Sequence, residues 1–430
     1  MSKTNDIIQI EERVPLSKGI PLSIQHTFAM FSASVLVPYI FGISPAIALL
    51  MNGIGTLIFI FITKGKAPAY LGSSFAFISP GLIVMNEFGY EYALGGFIAT
   101  GVLMMLVAVI IKFVGTKWID IVLPPAAMGP VVALIGLELA GSAASSIIST
   151  EENPVEPKVV AVFLITLLLA VFGQVLYRGF ASAIAILIAI VAGYVIALLM
   201  GLVDFTQFHE SHLFQLPNFC APKFNLQAIA VIIPATLVVC SEHIGHQVVT
   251  SEIVGRNLLE DPGLHRSMFS DGLSTALSGF CGSVPTTTYG ENIGVMAITK
   301  VYSVWVIGGA AVFSICLSFI GKASGLIQTI PSPVMGGISF LLYGMIGASG
   351  IRLMVDSKVD YSKARNLALT SVVFVTGLSG VAINLGNVSL TGMSLAAIVG
   401  MLLGLVFYLL DKAHLTNDGG TGDAEASFRG

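Results

Sequence analysis

Run after run of this chain extends for about twenty residues without a charged side chain; residues 92–111, 159–177 and 179–203 are three of them. A helix of about 20 apolar residues spans the hydrocarbon core of a bilayer. Inside that core every backbone polar group must be bonded internally, which leaves helices and closed barrels as the spanning structures. Composition agrees: 55% of residues are hydrophobic and 10% charged, with a mean hydropathy of +0.91. A soluble domain carries about 25% charged residues. The chain is therefore read as an all-α polytopic membrane protein. Its 46 glycines suit close helix approach in lipid.

Full spans are expected near residues 22–40, 44–63, 92–112, 122–141, 158–177, 180–202, 226–250, 263–281, 302–321, 330–348, 366–384 and 391–411. Two further segments, 67–85 and 283–299, are shorter and broken. Each opens with Pro, runs through a short extended-looking stretch to Gly, then turns apolar, which suits a short strand leading into a half-helix. Fourteen segments result. With a cytoplasmic N-terminus, all of the 20 basic residues except Lys158, Lys223 and Lys322 fall on the inside. Both termini are therefore assigned to the cytoplasm, and residues 151–156 to the outside. The first 19 residues carry no signal-peptide pattern, and the Gly- and Asp-rich stretch 416–430 is expected to be disordered.

An internal repeat is visible. Gln25-His26 matches Glu242-His243 and Pro68 matches Pro285, both at an offset of 217 residues. Asn52-Gly-Ile-Gly-Thr56 matches Asp271-Gly-Leu-Ser-Thr275 at 219, and Pro124-x-x-x-Met128-Gly129 matches Pro331-x-x-x-Met335-Gly336 at 207. Seven spans per half is an odd number, so the halves run in opposite directions: a 7+7 inverted repeat. In transporters of that design, substrate binds near the midplane where the paired broken helices meet.

The broken pair carries Phe75 and Glu291. Glu242 stands in an otherwise apolar run, and His246 follows it by one turn on the same helix face, while His243 points elsewhere. A charge at the centre of a membrane helix costs roughly 2.5–3.5 kcal/mol, so a carboxylate kept there marks a substrate or proton path. Glu291 opens a half-helix whose free N–H groups favour a carbonyl oxygen or an anion. Two carboxylates repel an anion, whereas a planar cyclic imide offers ring N–H groups to carboxylates and carbonyls to backbone N–H.

Other polar residues weigh less. Glu138 reads as a structural or helix-interface acid. Asp271 is either proton-linked or a helix-to-helix hydrogen-bonding group. His209-x-x-His212 is a weak metal signal, and a lone mid-span Tyr343 fits packing. Cys220, Cys240, Cys281 and Cys316 form no CxxC pair and imply neither a metal site nor a disulfide framework. With no nucleophile–base pair, metal cluster or phosphate loop, the chain is not read as an enzyme. No metal, no cofactor beyond a coupling proton, and no nucleic-acid partner is expected.

Glu291-Asn292-x-Gly294-x-x-x-x-Thr299-Lys300 resembles the signature of the nucleobase–ascorbate transporter family, and Gln25-His26 resembles its first-span QH motif. The stretches 68–80, 261–269 and 287–299 are most similar to its bacterial uracil-transporting members, and the likeness runs from about residue 21 to 408. The resemblance implies proton-coupled uracil uptake across the bacterial inner membrane, and a homodimer embedded in lipid. It also implies a core domain (parts 21–113 and 225–322) moving against a gate domain (parts 114–203 and 323–412). Residues 1–20 would form a cytoplasmic N-terminus, 204–224 an extracellular loop and 413–430 a cytoplasmic tail. Carried over by position, Glu242 and Glu291 would contact uracil through side chains, and Phe75 and Gly290 through the main chain. His246 would support Glu242, and Ala33, Tyr289 and Tyr343 would line the pocket. Proton coupling would fall to Glu242, His246 and Asp271. Asp271 departs from the Asn expected of uracil transporters and matches the Asp of purine relatives, so xanthine or urate symport is the alternative. A nucleobase uniporter or channel is the alternative of a different class.

Overall fold

A computed structural model describes residues 7–148, 154–385 and 388–416. The expected disordered tail beyond residue 416, and residues 151–153 of the acidic loop, lie outside the described residues. The first half holds α1 (Leu16–Ile40), α2 (Pro45–Ile62), strand β1 (Leu71–Ser73), a 3-10 turn (Phe75–Phe77), α3 (Ile78–Phe88) and α4 (Tyr90–Val114). It continues with α5 (Lys117–Val122), α6 (Pro125–Glu138), α7 (Ala140–Ala144), α8 (Pro157–Leu176), α9 (Phe180–Ala183), α10 (Ala185–Leu199) and α11 (Thr206–Glu210). The second half holds α12 (Leu226–Ile232), α13 (Ala235–Val254), α14 (Leu264–Cys281), β2 (Thr286–Thr288), α15 (Gly290–Thr299) and α16 (Val304–Ser318). It closes with α17 (Gly321–Gln328), α18 (Ser332–Asp356), α19 (Ala364–Leu378), β3 (Ile383–Leu385), β4 (Val388–Leu390) and α20 (Gly392–Lys412).

Eight helices among the described residues are long and apolar enough to cross a membrane, and Phe75–Phe88, Ala185–Leu199, Val304–Ser318 and Ala364–Leu378 are shorter apolar helices. Prolines and glycines set several boundaries away from the expected ones. The span expected at 226–250 is present as the apolar run Leu226–Val254, with Pro234 marking the junction of α12 and α13. The span expected at 366–384 stops at Leu378; Gly380 takes φ +72°, and Ile383–Leu385 turns back against Val388–Leu390 as a hairpin. That hairpin is a correction, because strands were expected only in the two broken segments. The span expected at 330–348 continues as helix to Asp356.

Lipid offers apolar helices no hydrophobic reason to associate, so close packing of small residues carries the contact. The α4–α14 pair shows it. A Cβ on Gly272 would lie 2.7 Å from the Gly101 carbonyl oxygen and 2.8 Å from Met104 Cβ, so the two backbones touch where both lack side chains. Glu138, the last residue of α6, accepts a hydrogen bond from the Met393 N–H (3.0 Å) in the first turn of α20. Its carboxylate thus fills a helix N-terminus, the interface role expected of it.

A short N-terminal strap crosses the end of α15. Ile8 N–H donates to Lys300 O (3.0 Å), Tyr302 N–H to Ile8 O (2.8 Å) and Val304 N–H to Ile10 O (2.9 Å), with the Ile10 side chain fully buried. Arg256 clips the strap through Glu11 at 2.6 Å.

Candidate functional site

The two broken segments meet as an antiparallel strand pair, with Leu71 opposite Thr288, Gly72 opposite Thr287 and Ser73 opposite Thr286. Three residues are too few to hold a strand unaided, and the preceding helices brace each one. Thr56 on α2 accepts from Leu71 N–H (2.9 Å), and Thr275 on α14 donates to Thr286 O (2.8 Å). Thr56 and Thr275 are the matched threonines of the repeat. Tyr289 lies over Gly72 so closely that a Cβ there would collide with its ring, and its hydroxyl donates to Ser73 O (3.0 Å). Tyr289 therefore fastens β2 to β1.

Each strand delivers the chain to a helix start. Ser74 caps the Phe75 turn and Tyr289 caps α15, and neither makes a side-chain capping bond. The first N–H groups of a helix have no intrahelical partner. Both starts thus present backbone donors, one beside Phe75 and one at Gly290–Glu291. Phe75 is half-buried and packs on both main apolar clusters, at the seam between them. Gly290 and Glu291 are solvent-accessible although protein surrounds the Glu291 carboxylate.

Glu242 and His246 lie on α13, both half-buried, with Gly245 open between them. His246 Nδ1 bonds Thr288 Oγ1 of β2 at 3.0 Å, and a Cβ on Gly290 would lie 3.5 Å from His246 Nε2. The imidazole therefore binds α13 to the strand and faces the start of α15; its hydrogen bond goes to Thr288 and not to Glu242. Glu242 lies within electrostatic reach of Asp271 and Glu291. Glu242, His246, Gly290 and Glu291 are thus neighbours across α13 and α15. Ala33 is buried on α1 in the cluster that holds Tyr289 and Ile293. Tyr343 is buried on α18 with its hydroxyl beside Ser142 and Ser339, in the apolar cluster against which Phe75 packs.

Asn292 joins the motif to the first helix: its Oδ1 accepts from Tyr70 N–H and its Nδ2 donates to His26 Nδ1, both at 3.2 Å. Sequence reasoning gave no role to His243. The structure buries it completely, with Nδ1 at 2.9 Å from Asp271 Oδ2 and Nε2 at 3.0 Å from Ser267 Oγ. Thr287 Oγ1 also donates to Asp271 Oδ2, at 3.4 Å. Asp271 is therefore a hydrogen-bonding link among α13, α14 and β2, one of the two readings its position allowed. Buried ionisable residues are costly unless they meet a partner, and here the two meet. No cluster of three or more potential metal ligands occurs among the described residues.

Two helix starts and the carboxylates of Glu242 and Glu291 are thus brought near one another. A permease-family profile matches residues 17–386. A uracil permease of Escherichia coli K12 is 58% identical over 409 residues, covering 95% of each chain. A uracil permease of Paenibacillus larvae is 55% identical over 417 residues, covering 96% of this chain and 99% of its own. Among solved structures, the transmembrane domain of the cyanobacterial bicarbonate transporter BicA superposes with a TM-score of 0.61 at 13% identity, over 94% of this chain and 99% of that one. The murine anion transporter Slc26a9 in its inward-facing state superposes with a TM-score of 0.69 at 10% identity, over 93% of this chain and 69% of that one. At such identities these two show a shared transporter fold. The match over most of the chain, with relatives above half identity from end to end, places this chain in the permease family.

Proposed function

We propose that this protein carries uracil into the cell together with protons. The observation that carries the reading is the pair of helix starts at Phe75 and Gly290, whose N-cap residues make no side-chain capping bond, joined through β1 and β2 beside Glu242 and Glu291. Uracil offers two ring N–H groups and two carbonyls. Glu291 and Glu242 would accept from the ring, and the N–H groups near Phe75 and Gly290 would donate to the carbonyls. Phe75 would lie against the ring face. His246, bonded to Thr288, would hold α13 at a fixed distance from the start of α15. Near-identity in length and more than half identity in sequence to uracil permeases support the substrate.

Glu242 is proposed as the proton-linked carboxylate and Glu291 as chiefly a ligand. A carboxyl that is protonated while uracil crosses avoids moving a bare charge through a closed cavity. The proposed architecture has fourteen segments as a 7+7 inverted repeat, with core parts 21–113 and 225–322 and gate parts 114–203 and 323–412. Three paired features support it: the strand-and-half-helix units, the matched Thr56 and Thr275, and a short helix, a proline and a long helix occurring twice, as α5–Pro124–α6 and α17–Pro331–α18. Residence in the bacterial inner membrane as a homodimer belongs to the same proposal.

Purified protein in proteoliposomes with labelled uracil tests the reading. Uptake above the external concentration, abolished by a protonophore and competed by 5-fluorouracil, is the expected result. Uptake of labelled xanthine with none of labelled uracil would replace the substrate with a purine. Accumulation insensitive to the protonophore would remove the coupling, and equilibration without accumulation would indicate a uniporter or channel.

A further inference from the structure

Lys112 near the end of α4 and His265 and Arg266 at the start of α14 converge beside a groove that the uracil reading leaves unused. The groove has a volume of about 210 Å³ and is lined by Ile62, Ala108, Val109, Phe269 and those three polar residues. His265 lies within electrostatic range of both Arg266 and Lys112. No ion pair of Lys112 or Arg266 with an acid occurs among the described residues; Arg266 reaches only the Ile62 carbonyl at 3.5 Å, and Lys112 stands 5.5 Å from the Phe113 ring. The nearby acid Asp261 is taken by Lys66 through both its oxygens. Two cations, Lys112 and Arg266, without an acidic partner among the described residues call for an anion from outside the chain.

The rest of the groove says which kind of anion. Its floor is apolar, and Val109 and Phe113 belong to an outward strip of α4 with Val102, Leu106 and Ile110, all exposed by 43% or more. A helix face this apolar, at mid-span, faces lipid tails. The cations lie at the end of that strip, where charge bias assigns the cytoplasmic interface. A soluble anion would gain nothing from the apolar floor, whereas a phospholipid fills both halves at once. We propose that this groove is a binding site for an anionic phospholipid, with the headgroup phosphate among Lys112, His265 and Arg266 and an acyl chain along Val109 and Phe269. Basic pockets between membrane helices on the cytoplasmic side take such headgroups. The lipid would straddle α2, α4 and α14, the helices that buttress α13 and both short strands.

Native mass spectrometry of the full chain, purified with lipid and challenged with phosphatidylglycerol or phosphatidylcholine, tests this. The wild type should retain phosphatidylglycerol at least several-fold over phosphatidylcholine, and phosphatidylglycerol should raise its melting temperature. Lys112→Gln with His265→Gln should lose at least one bound phosphatidylglycerol and the thermal shift. Val109→Trp fills the groove without touching a charge and should do the same, which separates lipid binding from a general loss of positive charge. Equal retention of both lipids by the wild type would overturn the proposal. So would unchanged retention in both variants, or inorganic phosphate stabilising the protein as well as phosphatidylglycerol does.

Discussion

Glu242 and Glu291 are the residues on which the functional reading turns, and their settings differ. Glu291 stands in the first turn of α15 and Glu242 in the middle of α13. Replacing Glu291 with Ala should leave a ring N–H of bound uracil unpaired, at about 1–3 kcal/mol, or roughly a five- to hundredfold loss of affinity by calorimetry. Glu242→Gln keeps shape and hydrogen bonding but cannot exchange a proton. Binding should survive in it with its pH dependence flattened, while protonophore-sensitive accumulation disappears. Wild-type affinity in Glu291→Ala, or proton-driven accumulation in Glu242→Gln, would reverse the assignment. The His243–Asp271 pair makes a separate expectation, because removing one partner strands the other without solvent. His243→Ala should lower stability by about 1–3 kcal/mol. In a double-mutant cycle with Asp271→Ala the two losses should fall well short of additive; strictly additive melting shifts would mean that the contact contributes nothing. Glu242 was legible from sequence because it interrupts an apolar run. His243 was not, since a helical wheel shows only that it faces away from Glu242, and its partner lies 28 residues on.

Among the elements, the broken segments were the most readable. Pro, a short polar or small-residue stretch and Gly preclude a continuous helix at 67–85 and 283–299, and β1 and β2 lie there. Their pairing was not readable, because register is set by side chains from other helices, Thr56, Thr275 and Tyr289 among them. The β3–β4 hairpin escaped for the opposite reason: residues 381–384, which include most of β3, are apolar enough to pass for the end of a span. The N-terminal strap supplies an element-scale prediction. The Arg256 guanidinium beside Glu11 holds its carboxyl below the ordinary carboxylate range. A depressed value means the pair stabilises the folded state above the ordinary carboxyl pKa of about 4.3 and that this is lost as pH falls through the folded value. Both groups are about half-exposed, so the contribution is at most about 1 kcal/mol. Arg256→Gln should melt below wild type at pH 7, and the gap should close near pH 3. A gap of equal size at both pH values would show that Arg256 acts by packing alone.

At the scale of the molecule, the bias of basic residues predicts an orientation. The loop around Lys358 should face the cytoplasm and the loop holding Leu216 the outside. In a background with Cys220, Cys281 and Cys316 replaced by Ser, an impermeant thiol reagent added to intact cells should label Leu216→Cys and leave Lys358→Cys unlabelled. The reverse pattern would invert the topology and with it the side assigned to the lipid groove. The fold shared with BicA and Slc26a9 at 10–13% identity shows that this architecture tolerates nearly complete replacement of its residues. What such chains must keep is the spacing of apolar runs and the breaks between them, because lipid imposes those on any sequence.

The amino-acid sequence by itself determined that this chain crosses a membrane many times, where its two interruptions fall, and which carboxylates interrupt its apolar runs. Those features are local: each is written in one stretch of chain and follows from the energy of placing that stretch in hydrocarbon. Only the tertiary structure decided which partners meet. It set β1 against β2, turned His246 to Thr288 and the start of α15, buried His243 against Asp271, and drew Lys112, His265 and Arg266 to one groove. Such contacts join residues far apart in the chain, and they arise from packing small side chains of several helices at once, a condition no single segment carries.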